Sequence, residues 1–343
     1  MPKDKPVESR SEVAAPPQRV LELGFGCAPA MVLAAAVELG VFTALAGGAM
    51  TAADAAEALG SSLRGTTMLL DALASLELLQ KQANRYALTP ECEAYLVRGK
   101  DGYLGGFFEA FRDGVADWLK LAEAVKTGRP VRSVDGRGAC EEFFPPLLRA
   151  LHVANAAAAR NLARKLAVGT RWRGLKILDV AAGSGVWSLA ALEEDPSSTA
   201  VALDYPAILA VTRECAAKAG VSERLSFVEG RMREATLEEN VYDLAILGNA
   251  CHLEGEEATR DFLKRLEPAM RAGGKVAIVD MIPNEERTGP AFPLLFALQM
   301  LLRTTNGSTF TQGEYTRWLG EAGFKKVEAL DLRSHSPAIV ASK

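Results

Sequence analysis

Three short stretches of this chain collect residue types that do chemistry. The first reads Ile177-Leu178-Asp179-Val180-Ala181-Ala182-Gly183-Ser184-Gly185-Val186-Trp187. Gly183 and Gly185 let the backbone come close to a ligand, and a helix starting near Val186 would offer its unpaired N–H groups to an anion. Asp179 ends the apolar run, and a carboxylate there would repel a pyrophosphate and welcome a positive charge. The second stretch ends at Asp204, where an acidic side chain can accept hydrogen bonds from both ribose hydroxyls of an adenosine. The third is Leu247-Gly248-Asn249-Ala250-Cys251-His252-Leu253-Glu254, in which His252 follows an apolar run and brings a group that exchanges a proton near neutral pH.

One ligand satisfies both aspartates. S-adenosylmethionine carries an adenosine, an ammonium and a sulfonium, so it is the expected cofactor, with S-adenosylhomocysteine as its product. NAD would satisfy Asp204 equally well. A dinucleotide loop, however, wants G-x-G-x-x-G, and Ser188 stands where the third glycine belongs. The three histidines, His152, His252 and His335, are not spaced as metal ligands, so no metal is expected.

These stretches need a sheet to hold them. After Gly169, short β-rich runs alternate with helical ones. Strands are expected at 175–180, 199–204, 225–228, 242–247, 275–281, 326–332 and 338–342, and helices at 186–194, 207–219, 256–271 and 312–322. Such alternation means a doubly wound, mostly parallel α/β sheet of Rossmann-like form, whose ligands sit beyond the strand C-termini. Only Arg333 to Pro337 separates the last two strands, too few residues for a parallel crossover, so the final strand should be antiparallel.

Before Gly169 the apolar residues recur at three- and four-residue spacing, and this half reads as helical. Thr51 to Leu59, Leu63 to Leu76 and a hairpin over 78–88 with Asn84 at its turn make a winged-helix pattern. A DNA reader would need a basic face there, but Asp54, Glu57, Asp71, Glu77, Glu91 and Glu93 outweigh Arg64, Lys81, Arg85 and Arg98, which favours a dimerisation or pocket-lining role. The expected domains are a disordered lead-in over 1–18, a helical winged-helix-like dimerisation domain over 19–167 and a catalytic domain over 168–343.

The 343 residues carry a formal net charge of -4, which offers no attraction to polyanions, so nucleic acid is not expected as a partner. Cys27, Cys92, Cys140, Cys215 and Cys251 form no C-x-x-C pair and suit a reducing cytoplasm. The apolar stretch over 23–46 is interrupted by Pro29, Glu38 and glycines, and reads as a buried or inter-subunit helix rather than a membrane span.

With these residues in view, the segment from about Arg171 onward resembles a class I methyltransferase. Nearly all of the chain after Leu21 is similar to the small-molecule O-methyltransferases of the acetylserotonin and caffeic acid type, with their bacterial polyketide-tailoring relatives. The family's D-V-G-G-G-x-G stands here as Asp179-Val180-Ala181-Ala182-Gly183-Ser184-Gly185, and its Leu-Pro after the ribose ligand as Tyr205-Pro206. Its G-D-M-F stands as Gly230-Arg231-Met232-Arg233, with Arg231 where an aspartate reaches adenine. The resemblance implies a homodimer and a cofactor-binding set of Asp179, Ala181, Gly183, Gly185, Asp204, Tyr205, Gly230, Arg231, Met232 and Asn249.

His252 matches the histidine of the family's L-H-D-W-S-D-E-E segment, the general base of members that methylate phenols. Asp280, ending the fifth strand, matches the acid that orients it. Leu253 and Thr309 replace two acids of the pattern. His152, Phe296 and Met300 are the implied walls of the acceptor pocket. The activity implied is metal-independent transfer of a methyl group to a hydroxyl of an aromatic or polyketide-like small molecule. Alternatives are C-methylation, a non-methylating use of the same cofactor, and a cofactor-sensing DNA-binding regulator.

Overall fold

The computed structural model describes residues 16–343. The expected lead-in therefore lies outside the described residues as far as Ala15, and Gln18 already opens a helix. The chain packs as two units that divide between Arg98 and Gly99, not near residue 167. The reason is the long helix before the sheet, which packs against three other helices of the second unit.

The first unit comprises α1 (Gln18–Gly24), α2 (Ala28–Leu39), α3 (Val41–Leu45), β1 (Met50–Thr51), α4 (Ala52–Leu59), α5 (Leu63–Ser75), β2 (Leu79–Gln82), β3 (Arg85–Leu88) and α6 (Pro90–Tyr95). Thr51 closes a capping box with Asp54, and Ser62 caps α5 through the Gly65 amide, each satisfying N–H groups that helix starts leave open. Ala83 and Asn84 both take positive φ, at 43° and 68°, so the wing turns through the mirror-image two-residue loop that suits strand twist. The wing is three-stranded, in the order β1-β3-β2. Val20, Leu21, Leu23 and Phe25 are exposed, Phe25 by 76%. The stretch Gln18–Leu39 is long and apolar enough to cross a membrane by length and composition.

The second unit begins with α7 (Gly105–Trp118), α8 (Leu121–Thr127) and α9 (Arg137–Lys165). The sheet and its crossovers follow as β4 (Lys176–Val180), α10 (Val186–Glu194), β5 (Thr199–Asp204), α11 (Pro206–Lys218), β6 (Leu225–Glu229), β7 (Tyr242–Gly248), α12 (Cys251–Ala269) and β8 (Met270–Val279). The unit ends with α13 (Ala291–Arg303), α14 (Gln312–Glu321), β9 (Lys325–Leu330) and β10 (Ala338–Ser342).

The strand order is β6-β5-β4-β7-β8-β10-β9. The first five are parallel, and β10 lies antiparallel between β8 and β9, as the short link before it requires. Ile177 packs into the core on one face while Leu178 and Val180 pack into the core on the other. Burial on both faces is why β4, β5 and β7 read as apolar runs without regular alternation.

The chain leaves β4 toward β5 and β6, then returns to place β7 on β4's other side. That reversal opens a crevice at the strand C-termini. Asp179, Asp204, Gly248 and Asp280 all lie at or next to these ends.

Candidate active site

The turn after β4 is built from left-handed backbone. Ala181, Gly183 and Gly185 have φ of 52°, 58° and 75°, and Gly185 is the cap residue of α10. Asp179 is buried beneath this turn. Its Oδ2 accepts the Ser188 amide at 3.2 Å and the Ser188 hydroxyl at 2.5 Å, so the strand's carboxylate serves the first turn of the helix. Ser188 thus has a structural task that its mismatch with a glycine pattern did not suggest. The other oxygen, Oδ1, is buried with no hydrogen-bond partner among the described residues.

Asp204 ties the second strand to the same turn. Its Oδ2 accepts the Gly183 amide at 2.9 Å and its Oδ1 the Tyr205 amide at 2.7 Å. Burial pushes the Asp179 carboxyl up to about 7, against the lowering bonds from Ser188, and the Asp204 charge adds to the rise. Burial likewise raises Asp204 to about 6, helped by the carboxylates of Glu254 and Glu141. Among the described residues neither carboxylate is paired with a lysine or arginine, which suits a cationic ligand that brings hydroxyl groups.

Beyond Asp204 the site continues along the sheet's edge. The Gly230 amide donates to the Asp204 carbonyl at 3.1 Å, and Met232 is buried below. Glu254 holds this loop: Arg231 reaches its carboxylate at 3.4 Å and Arg233 at 2.5 Å. The Arg137 guanidinium lies 5.8 Å from the centre of the Tyr205 ring.

His252 stands in a short helical turn at the start of α12, which Gly255, at φ of 83°, separates from the longer helical part beginning at Glu256, where the sequence pattern places it. Gly248 pairs in register with Val279, and this brings the residues following β7 and β8 side by side. His252 Nδ1 lies 2.6 Å from Asp280 Oδ1, and its backbone N–H donates to Oδ2 at 3.1 Å. The Tyr315 hydroxyl donates to the same Oδ2 at 2.8 Å, and the Met281 amide to Oδ1 at 2.9 Å. Tyr315 is fixed by edge contacts with Phe310 and Trp318, and burial raises its phenol well above the ordinary range, so it remains a donor.

His252 and Asp280 are both buried. With Nδ1–H given to the carboxylate, the lone pair is on Nε2. Tyr315 is a site residue that the sequence reading missed, because nothing in Gln312-Gly313-Glu314-Tyr315 marks it off from any other helical tyrosine.

The remaining expected residues divide. Phe296 meets the His252 ring edge-on with centroids 5.0 Å apart. His152 lies instead on the glycine turn, its Nδ1 3.2 Å from Ser184 Oγ, and burial lowers its pKa. Met300 is buried in α13, with its carbonyl accepting from Thr304. Asn249 is left-handed, and its amide donates to the Val279 carbonyl at 2.7 Å. Thr309 is buried and donates to the Pro293 carbonyl at 3.2 Å. His335 is exposed and tilted against Phe292, 5.2 Å between ring centres.

Two family models match the chain. One described as an O-methyltransferase domain matches residues 148–325, and one described as the O-methyltransferase dimerisation domain matches residues 21–98. The chain belongs to the O-methyltransferase family. The 3-hydroxy-5-methyl-1-naphthoate 3-O-methyltransferase of Streptomyces sahachiroi is 30% identical, over 93% of this chain and 92% of its own. Acetylserotonin O-methyltransferase of Bos taurus is also 30% identical, over 94% and 96%. A solved O-methyltransferase from Nostoc punctiforme superposes with a TM-score of 0.85 at 28% identity, covering 96% of this chain and all of that one.

The methyl donor of this O-methyltransferase is S-adenosylmethionine. Held at Asp179 and Asp204, as the sequence leads one to expect, it should bind with a dependence on pH. Near pH 6 both Asp179 and Asp204 are partly protonated in the free protein, and a cationic ligand favours their ionised forms. Binding should therefore release protons, and affinity should rise as the pH is taken from 5 to 8. Calorimetry at pH 6 in buffers of different ionisation enthalpy measures the release. A heat independent of buffer would contradict it.

Proposed function

We propose that this enzyme methylates a hydroxyl group of an aromatic or polyketide-like small molecule without a metal, using His252 as general base with Asp280 orienting it. The observation that carries this reading is the 2.6 Å contact between His252 Nδ1 and Asp280, in a buried pair at the ligand edge of the sheet. The bound cofactor supplies an electrophilic methyl on a positively charged sulfur. What the protein adds is alignment of acceptor oxygen, methyl and sulfur in a line, and a place for the acceptor's proton.

A phenol has a pKa of about 10. Nε2 can take its proton as the oxygen–carbon bond forms, and the Asp280 carboxylate stabilises the resulting imidazolium. Four donors fix that carboxylate: the His252 ring and backbone, the Met281 amide and the Tyr315 hydroxyl. Phe296 beside the imidazole gives an aromatic acceptor an apolar wall. The acceptor classes in the names of the naphthoate and acetylserotonin enzymes agree with this reading.

The test is a phenol panel with methyl-labelled S-adenosylmethionine in the presence of excess chelator. Expected is a methyl ether with one S-adenosylhomocysteine per methyl transferred. Label on carbon, or activity abolished by the chelator, would overturn the respective part of the proposal.

The dimerisation domain and the exposed Leu21, Leu23 and Phe25 support assembly as a homodimer, and the five free cysteines suit a reducing cytoplasm. Light scattering should give twice 36.6 kDa, and Phe25→Asp should shift the mass toward one chain. A parent protein of monomer mass would remove this part.

A further inference from the structure

The glycine turn is left-handed at Ala181, Gly183 and Gly185, and backbone of that kind keeps its shape only where its neighbours fix it. The sheet and its crossovers supply part of that support. Asp204 on β5 takes the Gly183 amide, the Thr212 hydroxyl on α11 donates to the Gly183 carbonyl at 2.7 Å, and the Ser188 hydroxyl on α10 donates to the Gly185 carbonyl at 3.2 Å. Ser184, between the two glycines, is held from elsewhere. Its buried hydroxyl lies 3.2 Å from Nδ1 of the half-buried His152, on α9.

A second contact puts the same face of α9 on the turn. Leu148 stands one helical turn before His152, at the spacing that shares a face, and its methyl would lie 3.0 Å from a Cβ added to Gly183. One apolar and one polar side chain of α9 thus press on the turn together. Charge separates His152 from the histidine proposed as base. His252 faces the Asp280 carboxylate, which can balance an imidazolium. Burial lowers the His152 pKa, and the positive charges of Lys218 and Arg160 add to the fall. Its ring is therefore neutral near pH 7, suited to hold a hydroxyl beside a site for a cation and unsuited to take a proton from an acceptor.

We infer that His152 is a positioning residue for the methyl donor: by holding the Ser184 hydroxyl from α9 it keeps the glycine turn in the shape that binds the cofactor, and it forms no wall for the acceptor. This role presupposes that the turn holds the cofactor. The family resemblance implies an acceptor-pocket place for His152 instead, and the two roles lead to opposite kinetics. Loss of a donor-side residue weakens cofactor binding, whereas loss of an acceptor wall raises the acceptor KM.

Calorimetric titration of the full-length protein with S-adenosylhomocysteine, run on His152→Ala, Ser184→Ala and the double variant, tests it. Each single variant should bind about 3- to 10-fold weaker than the parent, the worth of one hydrogen bond. The double variant should be no weaker than the weaker single one, because both substitutions remove the same contact. His152→Asn, whose side-chain amide reaches the position of Nδ1, should recover affinity to within about twofold of the parent. The KM of whichever phenol the parent methylates should change by less than about twofold in all of them.

A raised acceptor KM with unchanged S-adenosylhomocysteine affinity would return His152 to the acceptor wall and overturn the inference. So would losses that add in the double variant, or an affinity that Ser184→Ala leaves unaltered. Ser184→Ala removes a single oxygen and, with His152→Asn, carries the test if His152→Ala fails to fold. Asp204→Asn provides the separating arm. If that variant binds S-adenosylhomocysteine as the parent does, the turn does not hold the cofactor and the role of His152 falls with it. The titrations contain no acceptor, so they read the same whether or not His252 is the base.

Discussion

His252→Ala should lower kcat toward a phenolic acceptor by roughly 100- to 10,000-fold while leaving S-adenosylhomocysteine affinity within about twofold. The split follows from what His252 touches. Its ring meets Asp280 and Phe296, whereas the groups proposed to hold the cofactor are at Asp179, Asp204 and the turn between them. Alignment by the pocket would survive the substitution, and only the proton acceptor would be lost.

Asp280→Asn should fall between parent and alanine variant, since the amide can still accept from Nδ1–H but no longer balances an imidazolium. Tyr315→Phe removes one of the four donors to Asp280 and should cost less again. Steady-state kinetics with a binding measurement separates these cases. A folded His252→Ala enzyme that lost less than about tenfold in turnover would end the base assignment, leaving the dyad as a strand-end contact.

Gly185→Ala should destabilise the protein by about 2–5 kcal/mol and remove detectable cofactor binding. Two costs add. A non-glycine residue at φ of 75° pays about 1–2 kcal/mol, and a Cβ there would lie 2.7 Å from the Thr212 methyl, an overlap worth about 1–3 kcal/mol. Thr212 cannot retreat easily, because it is buried and its hydroxyl donates to the Gly183 carbonyl at 2.7 Å. Relief would have to come from moving the turn itself, and with it the Gly183 amide that Asp204 holds.

Ala181 provides the internal control. It already takes φ of 52° as an alanine, so Ala181→Gly relieves strain but frees the unfolded chain, and the two effects should cancel to within about 1 kcal/mol. Thermal melting of the two variants decides the matter. A Gly185→Ala protein melting within about 2 °C of the parent would show that the turn is less constrained than its packing indicates.

The parallel sheet was legible because each strand is a short apolar run ended by a residue that cannot continue it, and because Arg333 to Pro337 is too short a link for a parallel crossover. Asp179, Asp204 and His252 were legible for the same reason: polar residues at the ends of apolar strands lie at the crevice wherever the sheet is doubly wound. Residues that act through a neighbour were not. Ser188, Tyr315 and Glu254 look ordinary in their helices, and their partners are 9, 35 and 21–23 positions away in sequence. Nor was the unit boundary, since the periodicity of α9 shows that it is a helix but not which unit it packs on.

The position of β10 bears on how the enzyme is made. In a growing chain, the edge of β8 from Lys275 to Val279 has no partner until Ala338 to Ser342 emerges, and β9 pairs with no strand other than β10. The half of the sheet that carries Asp280 therefore cannot close before β10 has been synthesised. Until then β8 exposes an unpaired apolar border, the kind of surface that chaperones shield.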